Sequence, residues 1–134
     1  MKDTIIKNGF IVAGLANIIG ILTITRGMTS DTLADADPVI FSSFGVLMII
    51  LWGLAYIGTS RVATTAVLLP ATFALEKLAY TLAWIFWTID HGETVPAIMD
   101  RDFLGGVFLG GYGINDGLFF LFFAAVAIIN FRRK

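Results

Sequence analysis

The sequence predicts an all-α protein: an integral membrane four-helix up-down bundle with both termini cytoplasmic. Three observations carry this expectation. Hydrophobic residues make up 57% of the 134 positions and charged residues only 14%, where soluble domains carry about 25% charged residues. The apolar residues gather in four runs close to the roughly 20 residues that a helix needs to cross a hydrocarbon core. Lys and Arg are distributed unevenly between the breaks that separate the runs. The mean hydropathy of +0.87 agrees. A soluble domain of this size could not cover so much apolar surface with so few charges; lipid as the solvent removes that difficulty.

The four spans are expected at about 9–25, 39–58, 62–89 and 103–131, within a single domain. The first run follows Lys2 and Lys7, as a signal peptide would. It has no clear small-x-small cleavage site before Arg26, so it reads as a retained helix. Asp37-Pro38 offers an N-cap followed by a proline at the first helical position of the second span. Gly58-Thr59-Ser60-Arg61 reads as a tight polar turn. Asp100 or Asp102 can cap the fourth span, where a carboxylate meets the positive end of the helix dipole. Residues 29–37 could form a short surface helix capped by Thr29 or Ser30. Short connections make neighbouring spans antiparallel.

Orientation follows from the basic residues. One side holds Lys2, Lys7, Arg61, Arg132, Arg133 and Lys134, and the other only Arg26 and Arg101. The first side is expected to be cytoplasmic, which places the chain in a bacterial-type inner membrane. The outer loops are acidic, with Asp31, Asp35 and Asp37 in one and Asp90, Glu93, Asp100 and Asp102 in the other.

Several function classes are excluded. The chain has no cysteine, so disulfides, thiol redox chemistry, iron–sulfur clusters and cysteine zinc sites are ruled out. A net charge of −1 suggests no nucleic-acid surface. Neither a Walker-type glycine loop nor a His-Glu-x-x-His motif occurs. No internal repeat supports an inverted-repeat transporter within one chain. No cofactor, metal or catalytic residue is expected.

Two stripes of small residues predict packing. Gly9, Ala13, Ala16 and Gly20 share one face of the first span, and Gly106, Gly110, Gly113 and Gly117 repeat the spacing in the fourth. Small residues let backbones approach closely in lipid. The first and fourth spans are therefore expected to pack through these stripes, within one chain or between two copies.

The candidate site is a polar cluster at mid-span depth. Asn17 in the first span, Glu76 and Lys77 in the third, and Asn115 and Asp116 in the fourth fall at nearly the same level by helix rise. The second span has Met48 and Ile49 there and is expected to add only apolar wall. A charge at the bilayer centre costs at least about 2.5–3.5 kcal/mol on insertion scales. Lys77 is too deep to snorkel, so Glu76 and Asp116 are its expected partners, with the two asparagines completing the hydrogen bonds. Two carboxylates against one ammonium leave a formal charge of −1, so one carboxyl keeps a proton or a cation shares the site. Phe73, Glu76, Lys77, Tyr80, Trp84 and Trp87 lie on one helical face and resemble the lining of a pocket open toward the outer surface. Aromatic walls around an acid suit a lipophilic cation or an amphipathic lipid or isoprenoid. A buried ion pair can equally serve as structural glue that fixes helix register.

Other features are weaker. His91 with Asp90 and Glu93 reads as a solvated loop, and Ser42 and Ser43 as backbone-bonded helix residues. Phe119, Phe120, Phe122 and Phe123 read as lipid-facing or core-filling. The size and plan look like the small multidrug-resistance exporters, which use a membrane-embedded Glu in their first helix. Here the first span offers Asn17, the acid is in the third, and Lys77 stands beside it. The plan is equally similar to four-helix membrane families of the DoxX type. These likenesses are topological and assign no family.

The functional expectation is a protein that binds or carries a lipophilic or cationic small molecule in a mid-membrane pocket. A proton-coupled transporter acting as a homodimer and an accessory subunit of a larger membrane complex are the alternatives. An enzyme is least supported. Expected partners are membrane lipids, the small molecule, and a second copy or a larger membrane complex.

Overall fold

The computed structural model describes residues 1–133; Lys134, counted above among the basic residues, lies outside them. The described residues are all-helical, without a strand. Six α-helices follow in order: α1 (Asp3–Ile24), α2 (Thr32–Ala36), α3 (Ser43–Thr59), α4 (Leu68–His91), α5 (Val95–Arg101) and α6 (Phe103–Arg132). A 3-10 turn, Gly92–Thr94, joins α4 to α5.

The helix starts differ from expectation for local reasons. α1 begins at Asp3, well before position 9, because nothing in its first polar turn breaks a helix. Asp37 does not cap α3. Its Oδ1 accepts from the Val39 and Ile40 backbone N–H groups at 3.2 and 3.1 Å, closing a local turn. The cap is Ser42, whose Oγ accepts from Gly45 N at 3.0 Å. α4 starts at Leu68 and not at 62. Proline lacks an N–H and clashes with the carbonyl four residues back, so Pro70 is tolerated only in a first turn. Asp102 caps α6, accepting from Gly105 N at 3.1 Å. The short surface helix α2 does form, with Asp31 in place of Thr29 or Ser30 as its preceding residue.

Contacts at the two ends show that the long helices alternate in direction. At one end Arg133 pairs with Asp3 at 2.9 Å, and Asn130 Nδ2 donates to the carbonyls of Ala63 and Ala66 at 2.8 and 2.6 Å. At the other, Trp87 Nε1 donates to Ala36 O at 3.0 Å. Asn130 is fully buried and ties the α3–α4 connection to the last turns of α6. Asn130→Ala would leave the buried Ala63 carbonyl and the part-buried Ala66 carbonyl without this donor. Equilibrium unfolding should show a loss of about 1–3 kcal/mol.

The long helices pack mainly as two pairs, α1 on α3 and α4 on α6, with α5 laid on the start of α6. α1 and α6 touch only lightly, so within one chain the two glycine stripes do not form the expected pairing. A side chain at Gly9 would strike the Phe122 ring of α6, but Gly20 faces open space. The α6 stripe serves other neighbours. Gly106 lies against the Met99 backbone of α5, Gly113 under the Trp84 ring of α4, and Gly117 near Thr81. Gly110 is next to Val95. The intimate α1 contact belongs instead to Gly14, which meets Gly53 of α3 backbone to backbone; a Cβ at Gly53 would sit 2.8 Å from the Gly14 carbonyl oxygen.

The buried apolar residues form two clusters. One holds Phe10, Tyr56, Phe73 and Phe123, packed edge-on or tilted with centroids 4.9–6.1 Å apart. Phe119, Phe120 and Phe122 pack partly buried against it. The other holds Ile21, Phe41, Trp87, Leu109 and Tyr112. In every long helix, residues of the first cluster lie toward one end and those of the second toward the other. The buried Asn17, Lys77 and Asp116 fall between them.

Outside, large apolar side chains such as Val12, Ile19, Phe44, Leu75, Phe86 and Leu118 are exposed, while Asn17, Lys77 and Asp116 are buried. By length and composition α1 and α6 can each cross a membrane. α3 is apolar but has 17 residues, about 26 Å of helix. α4 has 24 residues and carries Glu76 and Lys77 near its middle.

Candidate functional site

Adjacent residues on a helix point about 100° apart, and this separates Glu76 from Lys77. Lys77 turns into the bundle and is buried. Its Nζ donates to Asp116 Oδ1 of α6 at 2.8 Å and to Asn17 Oδ1 of α1 at 3.0 Å. Asn17 is oriented in turn by donating Nδ2 to the Ile49 carbonyl of α3 at 3.2 Å. One ammonium thus joins three helices directly and the fourth through Asn17. Its Nζ also lies 5.5 Å from the Tyr56 ring centroid and 5.9 Å from that of Tyr80, within cation–π range.

Glu76 points the other way, toward α3, and is half-buried. It makes no ion pair with Lys77. Its Oε2 accepts a hydrogen bond from the buried Tyr56 hydroxyl. α3 therefore supplies a polar group to the centre, which corrects the expectation of a purely apolar wall. Tyr56 sits near the end of α3, outside the plane found by counting Cα rise. Helical side chains lean toward the N-terminus, so its hydroxyl reaches the level of Glu76. That lean was the signal available in the sequence.

A cavity of about 50 Å³ adjoins this centre, lined by Asn17, Glu76, Lys77, Tyr80, Asn115 and Asp116 with Phe41, Phe108 and Tyr112 among its apolar walls. Phe41 stands edge-on to Phe108 and Tyr112 at 5.6 and 5.3 Å. The Tyr112 hydroxyl is buried without a protein partner. A water needs about 10–15 Å³, so the cavity takes a few waters or one small polar group. Drug-sized ligands fill roughly 300–1,000 Å³.

The other residues expected at the site are placed as follows. Tyr80 lines the cavity. Asn115 is exposed, and its Nδ2 makes only a 3.4 Å contact to Asp116 Oδ1. Trp84 does not line the cavity: its ring lies on Gly113, and its Nε1 donates to Leu109 O at 2.8 Å. Phe73 and Trp87 belong to the two apolar clusters. The single aromatic face of α4 is thus divided among helix contacts, because α6 and α3 approach α4 from different sides.

Beyond the centre, Asp102 is buried where α6 begins. The Gly105 N–H, followed by the Thr32 hydroxyl and the Arg26 guanidinium, holds its carboxyl below the usual range. Such a group adds stability above its unfolded pKa, near about 4, and that stability is lost as pH falls through the lower folded value. Asp102→Ala should cost about 0.5–2 kcal/mol at neutral pH. Unfolding curves of variant and wild type should converge in acid.

Compared with protein-family models, curated proteins and solved structures, the chain shows no match.

Proposed function

We propose that the protein is a multi-pass membrane bundle whose four long helices span a cytoplasmic-type membrane, both chain ends at the cytoplasmic face, and that Glu76 receives a lipophilic cation from the bilayer. The inverted distribution of side chains supports the membrane reading. All four long helices turn large apolar residues outward while a lysine and an aspartate are buried between them. Soluble monomers rarely expose apolar patches beyond a few hundred Å².

The division of the polar centre supports the cation reading, and one observation carries it. Lys77 and Asp116 neutralise each other at 2.8 Å, with side-chain exposures of 3% and 10%. Glu76 is the unmatched acid, half-buried and bonded to a neutral tyrosine. An amine arriving there balances the charge. α3 and α4 make few backbone contacts; Trp52, Tyr56 and Phe73 fill the space between them. Only the ligand's head reaches Glu76 and the small cavity, and its apolar body stays with the lipid at the outer face of α3 and α4. Lys77, Asp116 and Asn17 form the lock that holds the helix pairs together.

The test is Glu76→Gln in nanodiscs, titrated with lipophilic amines and with neutral quinones. Wild type should bind the amines, and the variant should bind them at least tenfold more weakly, about 1.4 kcal/mol. Equal amine binding by the two proteins contradicts the proposal, and so does a wild-type preference for quinones.

A further inference from the structure

Asn115 differs from the other polar residues at its level. Asn17, Lys77 and Asp116 are buried, whereas Asn115 is exposed on the surface of α6, at the rim of the central cavity. A side-chain amide has two donor hydrogens and an acceptor oxygen, and this one makes only the 3.4 Å contact to Asp116 Oδ1. By helix rise it lies about 18 Å from the start of α6 and about 26 Å from its end. In a bilayer that depth is hydrocarbon, where neither water nor a headgroup meets an amide and an unpaired polar group is costly.

The helix surface around it is apolar and open. Leu104, Val107, Gly111, Asn115 and Leu118 lie within about 80° of one another around α6, and the three large apolar ones are exposed. The smallness of Gly111 serves no contact within the chain. A Cβ at Gly106 or Gly113 would strike Met99 or Trp84, but one at Gly111 would meet nothing within 4 Å. A glycine one turn before an asparagine lets a second helix backbone come close enough for the amide to reach across.

We propose that two copies of the chain associate through this face of α6, each Asn115 Nδ2 donating to the other copy's Oδ1. The inference rests on the membrane reading of the bundle and not on the amine site at Glu76. The chemistry selects a second copy as the occupant. In a two-fold contact the same patch faces itself, so an amide, which is both donor and acceptor, brings its own complement at its own depth. A lipid tail brings no polar atom there, and an unrelated helix would need a matching group at that level.

The experiment uses the purified full chain in phosphatidylcholine vesicles, at protein densities low enough to make chance collisions rare. Single cysteines enter the cysteine-free sequence, and oxidation joins two of them only when their Cα atoms come within about 7 Å. Leu118→Cys on this face should form a covalent dimer, and Leu75→Cys, exposed on α4, should not. Adding Asn115→Leu to Leu118→Cys should slow cross-linking at least tenfold, while Asn115→Gln, which keeps the amide, should retain most of it. Gly111→Ile should slow it as much, and because a Cβ there enters open space within the chain, that loss reports the contact between copies. No dimer at Leu118→Cys, equal dimer at Leu75→Cys, or indifference to both Asn115→Leu and Gly111→Ile would overturn the proposal. Alkaline carbonate extraction separates it from the membrane reading. A monomer that stays in the vesicles overturns this interface alone, whereas a chain that washes out overturns both.

Discussion

Lys77→Met is expected to destabilise the protein by about 3–5 kcal/mol, the cost of removing one partner from a buried ion pair. Asp116 would remain 7% exposed with only the 3.4 Å contact to Asn115, and Asn17 Oδ1 would lose its donor. The origin of the loss can be checked with the double variant Lys77→Met, Asp116→Leu. Exchanging a whole buried pair for apolar residues is often neutral or stabilising by about 1–4 kcal/mol. The double variant should therefore recover most of the stability in unfolding titrations in mixed micelles. It should still bind amines, because Glu76 and Tyr56 are untouched. Loss of binding despite full stability would assign the lock a part in recognition.

The second large effect belongs to Gly14. An added methyl there meets the Gly53 carbonyl of α3, and a backbone group inside a helix cannot turn aside. Gly14→Ala should cost about 1–3 kcal/mol, the range for forcing extra volume into a close contact. Gly20→Ala on the same helix is the matched control. Nothing lies within 4 Å of a Cβ at Gly20, so alanine's helix preference should raise stability by up to about 1 kcal/mol. Equal losses at the two positions would show that general helix crowding, and not the Gly14–Gly53 contact, sets the tolerance.

This contrast shows where the sequence was legible. The long helices, their polar breaks and the Asp102 cap can be read from apolar run length and turn chemistry, since both are local. The level of Asn17, Lys77 and Asp116 can also be read, because a fixed rise per residue puts buried charges on different helices in register. Partner choice could not be read. Gly9, Ala13, Ala16 and Gly20 make a regular stripe, yet the close contact uses Gly14, which falls outside it. Spacing defines a face but not the helix that covers it. Counting depth at Cα atoms likewise hid Tyr56, whose side chain reaches a turn away from its own backbone. Trp84 shares a face with Tyr80 on a helical wheel, but α6 covers one and leaves the other beside the cavity.

The polar layer explains why the centre is more than a flaw in an apolar core. It lies between two aromatic-rich clusters, and the Asn17–Lys77 and Tyr56–Glu76 hydrogen bonds connect the α1–α3 pair to the α4–α6 pair. The aromatic packing of Phe10 and Tyr56 on Phe73 and Phe123 joins the same two pairs without hydrogen bonds. In lipid, where apolar side chains gain little by leaving solvent for one another, such interhelical bonds contribute about 0.6–2 kcal/mol each. Loading Glu76 with a cation would compete with the Tyr56 bond. The proposed binding at this acid would thereby be coupled to how firmly the two pairs are joined.

The most direct test of the proposed arrangement is side-specific thiol labelling in sealed vesicles, for which the cysteine-free chain is a clean background. Single cysteines would replace Thr29, before α2, Ser60, between α3 and α4, and Glu93, between α4 and α5. With four spans, an impermeant maleimide added from outside labels Thr29→Cys and Glu93→Cys, and labels Ser60→Cys only after the membrane is opened. Labelling of Ser60→Cys together with the other two from the outside would contradict four spans, and with it a mid-membrane Glu76 site.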